Sequence, residues 1–330
     1  MQNNPTKTSL LKKLKLARGE WVSGQMLSDA LAISRTAVSK NIQTLRKEGY
    51  QIQAVTNKGY CLKALPDRLF KDEIQQGLST MVFGRNEIFH YDTIASTNSK
   101  ARELADGGAD EGTLVIAECQ SAGRGRRGRK WISPKHDGIY FSMIARPQLS
   151  PAEAPQITLL TAVTLARTIM RQTQLRLQIK WPNDLLIQGK KVAGILTELR
   201  TEMDLVEYVI IGIGLNVNTP ATALEAIMDQ KVTSLAQETN TSFSRLLLLQ
   251  NFLAEFEKDY RLLGTSAFKN TLEQWRTLAN IMGQFISVDV AGQTYRGRVV
   301  NIEKNGALVI EDTKGKRQRI FSGDLQLKKK

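Results

Sequence analysis

The chain has 330 residues, 42% hydrophobic and 24% charged, an ordinary globular composition with length enough for two or three domains. No run approaches the ~18 apolar residues of a membrane span, and the N-terminus MQNNPTKTSLLKKLKL lacks the apolar stretch and small-residue cleavage site of a secretory signal. Two isolated cysteines, Cys61 and Cys119, fit a reducing cytoplasm without a disulfide framework, and two histidines, His90 and His136, argue against a zinc site or a Ser-His-Asp triad.

The net charge of +14 is unevenly spread. Residues 1–65 carry 11 Lys/Arg against 3 Asp/Glu, residues 66–280 carry 25 against 24, and residues 281–330 carry 10 against 5. The same three spans are the expected domains. A polyanionic partner is expected at an end of the chain rather than at its middle. Basic residues serving solubility alone are the plainer alternative.

In the first span, Met26, Leu27, Ala30 and Leu31 fall at helical spacing, residues 32–34 turn, and Ser34 can cap a second helix. Val38, Ile42 and Leu45 give that helix one buried face. Its opposite face carries Arg35, Thr36, Ser39, Lys40, Gln43 and Arg46, residue types that contact base edges and phosphates on a helix that a major groove admits. Two short strands about Asn57-Lys58-Gly59 follow. The unit reads as a winged helix with Lys58 at the wing tip. A helical unit used only for protein contact is the competing reading, and the basic face argues for DNA. A specific reader of this kind works as a dimer on paired half-sites.

From 66 to 280 strand and helix signals alternate. STNSKARELA (96–105) opens on hydroxyls that can cap a helix, GTLVIAEC (112–119) and GIYFSMIAR (138–146) read as strands, and residues 152–173 as a long helix. Residues 175–200 read as three strands, with a tight turn at Gly189 before the last; residues 205–218 are a further strand and 242–263 a helix. This is an α+β domain on a mostly antiparallel sheet. Residues 283–327 show short alternating strands with turns at Gly292, Asn305-Gly306 and Gly315.

The densest feature is GRGRRGRKW (123–131), where four arginines and a lysine interleave with three glycines. Glycines let a backbone approach an anion, and arginines match phosphate oxygens bidentately. So many like charges are expected to repel one another without a ligand. Composition alone fits a phosphate-bearing small molecule and a nucleic acid equally. In KWPND (180–184), Asn183 and Asp184 place an amide and a carboxylate at a turn, which alone reads as a structural Asx turn. Lys191 stands at the mouth of the apolar strand VAGIL, where a solvated strand end is the plain reading and a buried anion the sharper one. Gly212 and Gly214 inside the strand IGIGLN mark a bulge or a close ligand contact.

Taken in order, STN (96–98), GRGRRGRKW (123–131), KWPND (180–184), KVAGIL (191–196) and GIGLN (212–216) resemble the biotin protein ligases. With the winged helix in front, the chain is similar to the bifunctional form, the biotin operon repressor, over nearly its whole length. The resemblance implies an α+β multidomain protein: a winged helix, a class II biotin ligase catalytic domain on a mixed, mainly antiparallel sheet, and a C-terminal SH3-like barrel. It implies a two-step reaction in which the biotin carboxylate attacks the α-phosphate of MgATP, giving biotinyl-5′-AMP and pyrophosphate, and a lysine of the biotin carboxyl carrier protein of acetyl-CoA carboxylase then takes the biotinyl group.

Transferred motif by motif, the resemblance implies a biotin site of Ser96, Thr97, Asn98, Gln120, Gly123, Arg124 and Lys191. It implies nucleotide contacts from Arg126, Arg127, Gly128, Arg129, Trp131, Lys180, Asn183 and Asn216. Lys191, Arg124 and Asp184 are the implied catalytic groups, with Lys191 bridging the biotin carboxyl and the α-phosphate, and Asp184 orienting Mg²⁺ or helping the incoming lysine lose its proton. The adenylate is the implied corepressor, promoting a homodimer that binds operator DNA through Arg35, Thr36, Ser39, Lys40, Gln43, Arg46 and Lys58. The chain departs from some members after Asn216, where no tryptophan is available to cover the adenine and Leu224 or Ile227 is the apolar substitute. Cys119 stands where some members carry an aromatic. Three other readings remain: a ligand sensor with an inactive ligase domain, a lipoate-type acyl ligase, and a plain nucleic-acid-binding protein, which leaves KWPND and KVAGIL without a role.

Overall fold

The computed structural model describes residues 5–225, 231–290, 292–321 and 323–327, and the chain divides into two compact units, Met1–Arg68 and Leu69–Lys330. The first contains α1 (Pro5–Leu16), α2 (Gly24–Leu31), α3 (Arg35–Lys47), β1 (Gln51–Val55) and β2 (Gly59–Ala64). Sequence reading assigned no element to α1, although its Leu10, Leu11 and Leu14 are buried at helical spacing. Ser23 and Ser34 cap α2 and α3 by accepting hydrogen bonds from the backbone N–H groups of Met26 (3.0 Å) and Ala37 (3.1 Å). Val38, Ile42 and Leu45 are buried as their spacing requires. The wing is tied back by reciprocal backbone hydrogen bonds between Val22 and Tyr60, both 2.8 Å. Gly59 is required there: its φ is +99° and a Cβ would lie 2.1 Å from the Val22 carbonyl.

The second unit runs α4 (Lys71–Gly77), β3 (Ile88–Tyr91), α5 (Thr97–Asp106), β4 (Leu114–Ala117), β5 (Gly138–Ala145), α6 (Pro155–Thr173), β6 (Gln178–Lys180), β7 (Asp184–Ile187), β8 (Lys190–Glu202), β9 (Leu205–Asn216), α7 (Ala221–Leu224), α8 (Leu235–Thr239), α9 (Arg245–Tyr260) and α10 (Phe268–Ala279). It ends with β10 (Phe285–Val290), β11 (Gln293–Ile302), β12 (Leu308–Glu311), β13 (Arg317–Ile320) and β14 (Asp324–Leu327). Seven strands form one sheet in the order β3-β4-β5-β9-β8-β7-β6, antiparallel except for the β3–β4 pair. The last five strands form a separate antiparallel sheet, β13-β12-β11-β10-β14, in keeping with the small SH3-like module expected there.

Strand alternation gives the large sheet two different faces. Ile211, Ile213 and Leu215 of β9 join α6 and α9 in the main core, with Leu160, Ile169, Leu249 and Phe252. Ile210 points to the other face, where Ala101 and Ala105 of α5 pack on it with Val115 and Ile144. That face continues along β9 as Gly212, Gly214 and Asn216, so beyond α5 it offers almost no side chains. The small sheet shares the main core through Ile286, Val288, Ile302, Leu308 and Ile310. Its turn at Gly306 accepts a hydrogen bond from the buried Trp181 Nε1 at 3.2 Å. The architecture therefore changes after α10 while the packing continues.

Candidate active site

The bare face of the sheet floors a cavity of about 430 Å³, within the range of small-molecule sites. Register places Gly214 between Tyr140 of β5 and Gly194 of β8, and Gly212 between Ser142 and Leu196. A Cβ on Gly212 would lie 1.8 Å from Asn98 Oδ1, and one on Gly214 2.3 Å from the Trp131 ring. The ladder is regular at both glycines, since the register shift in β8–β9 falls at Arg200/Thr201. Of the two readings of IGIGLN, the bulge fails, and the space over the glycines is approached by Asn98 and Trp131.

Lys191 enters from the start of β8. Its Nζ lies 2.8 Å from Asp184 Oδ1 and 5.4 Å from the centre of the Trp131 ring. Its backbone is clamped from the far side, its N–H donating to Lys231 O (2.8 Å) and its carbonyl accepting from the Thr233 N–H (2.9 Å). Asn183 turns its side chain to distant partners rather than to the local backbone. Its Nδ2 donates to Ile195 O at 2.6 Å and its Oδ1 accepts from Arg126 at 3.2 Å, which joins KWPND to the arginine loop. Two buried polar atoms at the cavity wall have no hydrogen-bond partner, the donor Trp131 Nε1 and the acceptor Asn216 Oδ1. Such atoms are costly unless a bound molecule pairs with them.

The loop 123–131 is a tight hairpin. Gly123 O accepts from Trp131 N (2.9 Å), Arg129 O accepts from Gly125 N (2.7 Å), and a short 3₁₀ turn spans Arg126–Gly128. The expected mutual repulsion of its arginines is met by protein acceptors. Arg124 reaches Ser99 Oγ (3.3 Å) and Glu198 (3.5 Å), Arg126 reaches Asn183, and Arg127 donates to Asp289 O (3.1 Å).

Most of the residues singled out by motif converge on the cavity: Ser96, Thr97, Asn98, Gln120, Arg124, Arg126, Arg129, Trp131, Lys180, Asn183, Asp184, Lys191 and Asn216 all line it. Three expected contacts fall outside its wall. Arg127 turns to the small sheet; Gly128 sits in open space at φ +73°; and Gly123 serves backbone packing, since a Cβ there would meet Trp131 O at 2.4 Å. Of the residues considered for adenine cover, Leu224 is buried away from the cavity wall and Ile227 lies outside the described residues. The cavity also takes Val232, Gly323 and Leu325 from segments that no motif marked. Asp184 is the only carboxylate among the described lining residues, and no cluster of three or more metal-ligating side chains occurs among the described residues. With an ammonium 2.8 Å away, Asp184 is better placed to hold Lys191 than to ligate a cation.

In the first unit, Arg35, Thr36, Lys40, Gln43, Arg46 and Lys58 are exposed and Ser39 is half-buried. Arg46 is partly committed, because its Nε donates to Ile52 O at 2.8 Å and braces the hairpin. Cys61 and Cys119 are both free thiols. Among the described residues no helix is long and apolar enough to cross a membrane.

A biotin/lipoate A/B protein ligase family model matches residues 92–216, the span that holds every cavity motif, and a helix-turn-helix domain model matches residues 6–61. The bifunctional ligase/repressor BirA of Bacillus subtilis (strain 168) is 42% identical over 318 residues, covering 96% of this chain and 97% of that protein. The bifunctional ligase/repressor BirA of Escherichia coli (strain K12) is 32% identical, covering 90% of each. Among solved structures, the biotin protein ligase from Aquifex aeolicus in complex with biotin and ATP matches with a TM-score of 0.60 at 26% identity, over 74% of this chain and 100% of that chain. The chain belongs to the bifunctional ligase/repressor family of biotin protein ligases.

Proposed function

We propose that residues 66–280 activate biotin with ATP and pass it to a lysine of a biotin carboxyl carrier protein, that residues 281–330 complete the cavity wall, and that residues 1–65 bind operator DNA when the adenylate is bound. The observation that carries the catalytic part is the placing of Lys191, Asp184 and the arginine loop around a glycine floor, beside one unpaired donor and one unpaired acceptor.

The first step joins two anions. A biotin carboxylate oxygen bonds to the α-phosphorus of ATP, the bond to the bridging oxygen breaks, and pyrophosphate leaves. Enzyme cations at the reacting centre offset the repulsion and the developing charge, and fixed geometry supplies the rest. Lys191 Nζ bridges the carboxylate and the α-phosphoryl oxygen, with Asp184 holding it at the strand mouth. Ser96, Thr97, Asn98 and Gln120 face biotin, Arg124 closes over it, and Arg126, Arg129, Lys180, Asn183 and Asn216 face the nucleotide. Mg²⁺ enters with the ATP phosphates as part of the substrate. In the second step the carrier amine attacks the acyl carbon, AMP leaves, and Asp184 helps take up the amine proton. The reading places the protein in the cytoplasm, with the adenylate as corepressor and a homodimer as the DNA-bound form.

Biotin transfer from ATP and biotin to an acceptor domain tests the catalytic part directly. Lys191→Ala loses at least ~3 kcal/mol of transition-state stabilisation, a rate fall of over a hundredfold. Near-wild-type transfer by this variant would remove Lys191 from the mechanism.

A further inference from the structure

We propose that Glu198 is a positioning residue of the ligase reaction, holding the loop guanidinium of Arg124 and the floor amide of Asn98 in a single arrangement. This rests on the reading that Asn98 and Arg124 face biotin. Glu198 lies on β8 opposite Ile210, on the same sheet face as Gly194 and Leu196 and one step past the glycine floor. Its side chain is only 18% exposed. Oε2 accepts from Asn98 Nδ2 at 2.8 Å, while Oε1 faces the guanidinium of Arg102 on α5 and that of Arg124 at 3.5 Å.

The carboxylate decides which way Asn98 points. A carboxylate only accepts, so Nδ2 must face it and Oδ1 must face away. Oδ1 then accepts from Ser142 Oγ at 2.6 Å, and Nδ2 also reaches Leu196 O at 3.3 Å. From Ser142 the chain of contacts continues to Thr97 Oγ1 (2.8 Å), from Thr97 to Gln120 Oε1 (2.9 Å from its N–H), and from Gln120 Nε2 to Ser133 Oγ (3.2 Å). Gln120 and Ser133 flank the arginine loop, and Arg124 lies within it. Glu198 thus closes a polar circuit that begins and ends at the loop and passes beneath the biotin face. The absence of a Cβ at Gly212 is what lets Asn98 occupy its place in that circuit.

The rival account is a surface ion pair in which Glu198 and Arg102 merely fasten α5 to β8. Steady-state biotin transfer with biotin varied separates the two, using the full chain and thermal melting as a control for folding. Glu198→Gln keeps the shape, removes the charge and offers the arginines an amide, so KM for biotin rises about tenfold or more while kcat stays within about threefold. Glu198→Asp keeps the charge and recovers part of the loss. Arg102→Ala leaves KM within about twofold. In a double-mutant cycle, Glu198→Gln adds little to Arg124→Ala, because both remove one arrangement. A normal biotin KM in Glu198→Gln beside a raised one in Arg124→Ala would overturn the proposal, as would full additivity or an equal defect in Arg102→Ala. A normal KM in Arg124→Ala would instead overturn the site reading, and the proposal with it.

Discussion

At the scale of single residues, the site is defined as much by absent side chains as by present ones. Gly194, Gly212 and Gly214 leave the sheet bare, and their neighbours Asn98, Trp131 and Lys191 fill the approach. Gly214→Ala tests this. The new Cβ would sit 2.3 Å from the Trp131 ring. The obstruction is a side chain at the cavity edge, so the indole moves and the strand does not. Overpacking of this kind costs ~1–3 kcal/mol, and at a cavity wall the cost falls on ligand binding rather than on folding. The expected result is an ATP KM raised roughly ten- to a hundredfold with a nearly unchanged melting temperature. A large drop in melting temperature with an intact KM would show that Trp131 belongs to the core rather than to the site. The floor was legible in the sequence because IGIGLN alternates with the period of a strand and puts both glycines on one face. Glu198 carries the same signal, four residues on from Gly194, but a charged residue near a strand end reads as solvated until the register is known.

Among elements, one buried carboxylate fastens the N-terminal edge of the catalytic unit. Glu118, just after β4, is fully buried and takes both histidines of the chain, His90 at 3.3 Å and His136 at 3.1 Å, together with the fully buried Arg245 at 2.8 Å. It also accepts from the Leu69 N–H at 3.1 Å, while Arg245 donates to Gly138 O at 3.0 Å. Burial pushes the Glu118 carboxyl up. The hydrogen bond from His90, the charge and hydrogen bond of Arg245, and the hydrogen bond from His136 outweigh it and hold the group well below the usual carboxylate range. A group depressed in the folded state contributes stability that is complete above its unfolded value, near 4.5, and is lost as pH falls below that value toward the folded one. Urea unfolding at a series of pH values therefore shows the protein weakening below about pH 4.5, and Glu118→Gln flattens that decline. Arg245→Met leaves the carboxylate without its nearest charge and costs ~3–5 kcal/mol at pH 7. A pH profile identical in wild type and Glu118→Gln would show that other carboxylates govern acid unfolding. The two histidines argue in the sequence only against a zinc site or a Ser-His-Asp triad, and their shared partner is not legible there because β3, β4 and α9 meet only in the folded unit. Likewise Val232, Gly323 and Leu325 reach the cavity through long-range pairing that no local spacing announces, whereas Ser34 and Ser96 marked their helix starts by cap chemistry alone.

On the scale of the whole molecule, the opening contrast in charge becomes a division of labour. The arginine loop sits in a span of net charge near zero and lines a small cavity through Arg124, Arg126 and Arg129, so it is suited to a small anionic ligand. The excess of basic residues at 1–65 is suited to DNA. Joining the two activities requires a free-energy coupling, since a ligand shifts DNA binding only by as much as it distinguishes the competent form from the other. A coupling of ~1–3 kcal/mol corresponds to a 5- to 150-fold change in apparent affinity. Gel-shift titration on the operator, at one fixed salt concentration because phosphate contacts make affinity salt-dependent, should show that gain when biotin and ATP are supplied together. Biotin alone or ATP alone should give little, because neither yields the adenylate. Lys191→Ala should lose the gain while retaining the basal DNA binding of its unaltered winged helix. Equal DNA affinity with and without the two substrates would separate the ligase from the repressor in this chain and leave the adenylate as an intermediate only.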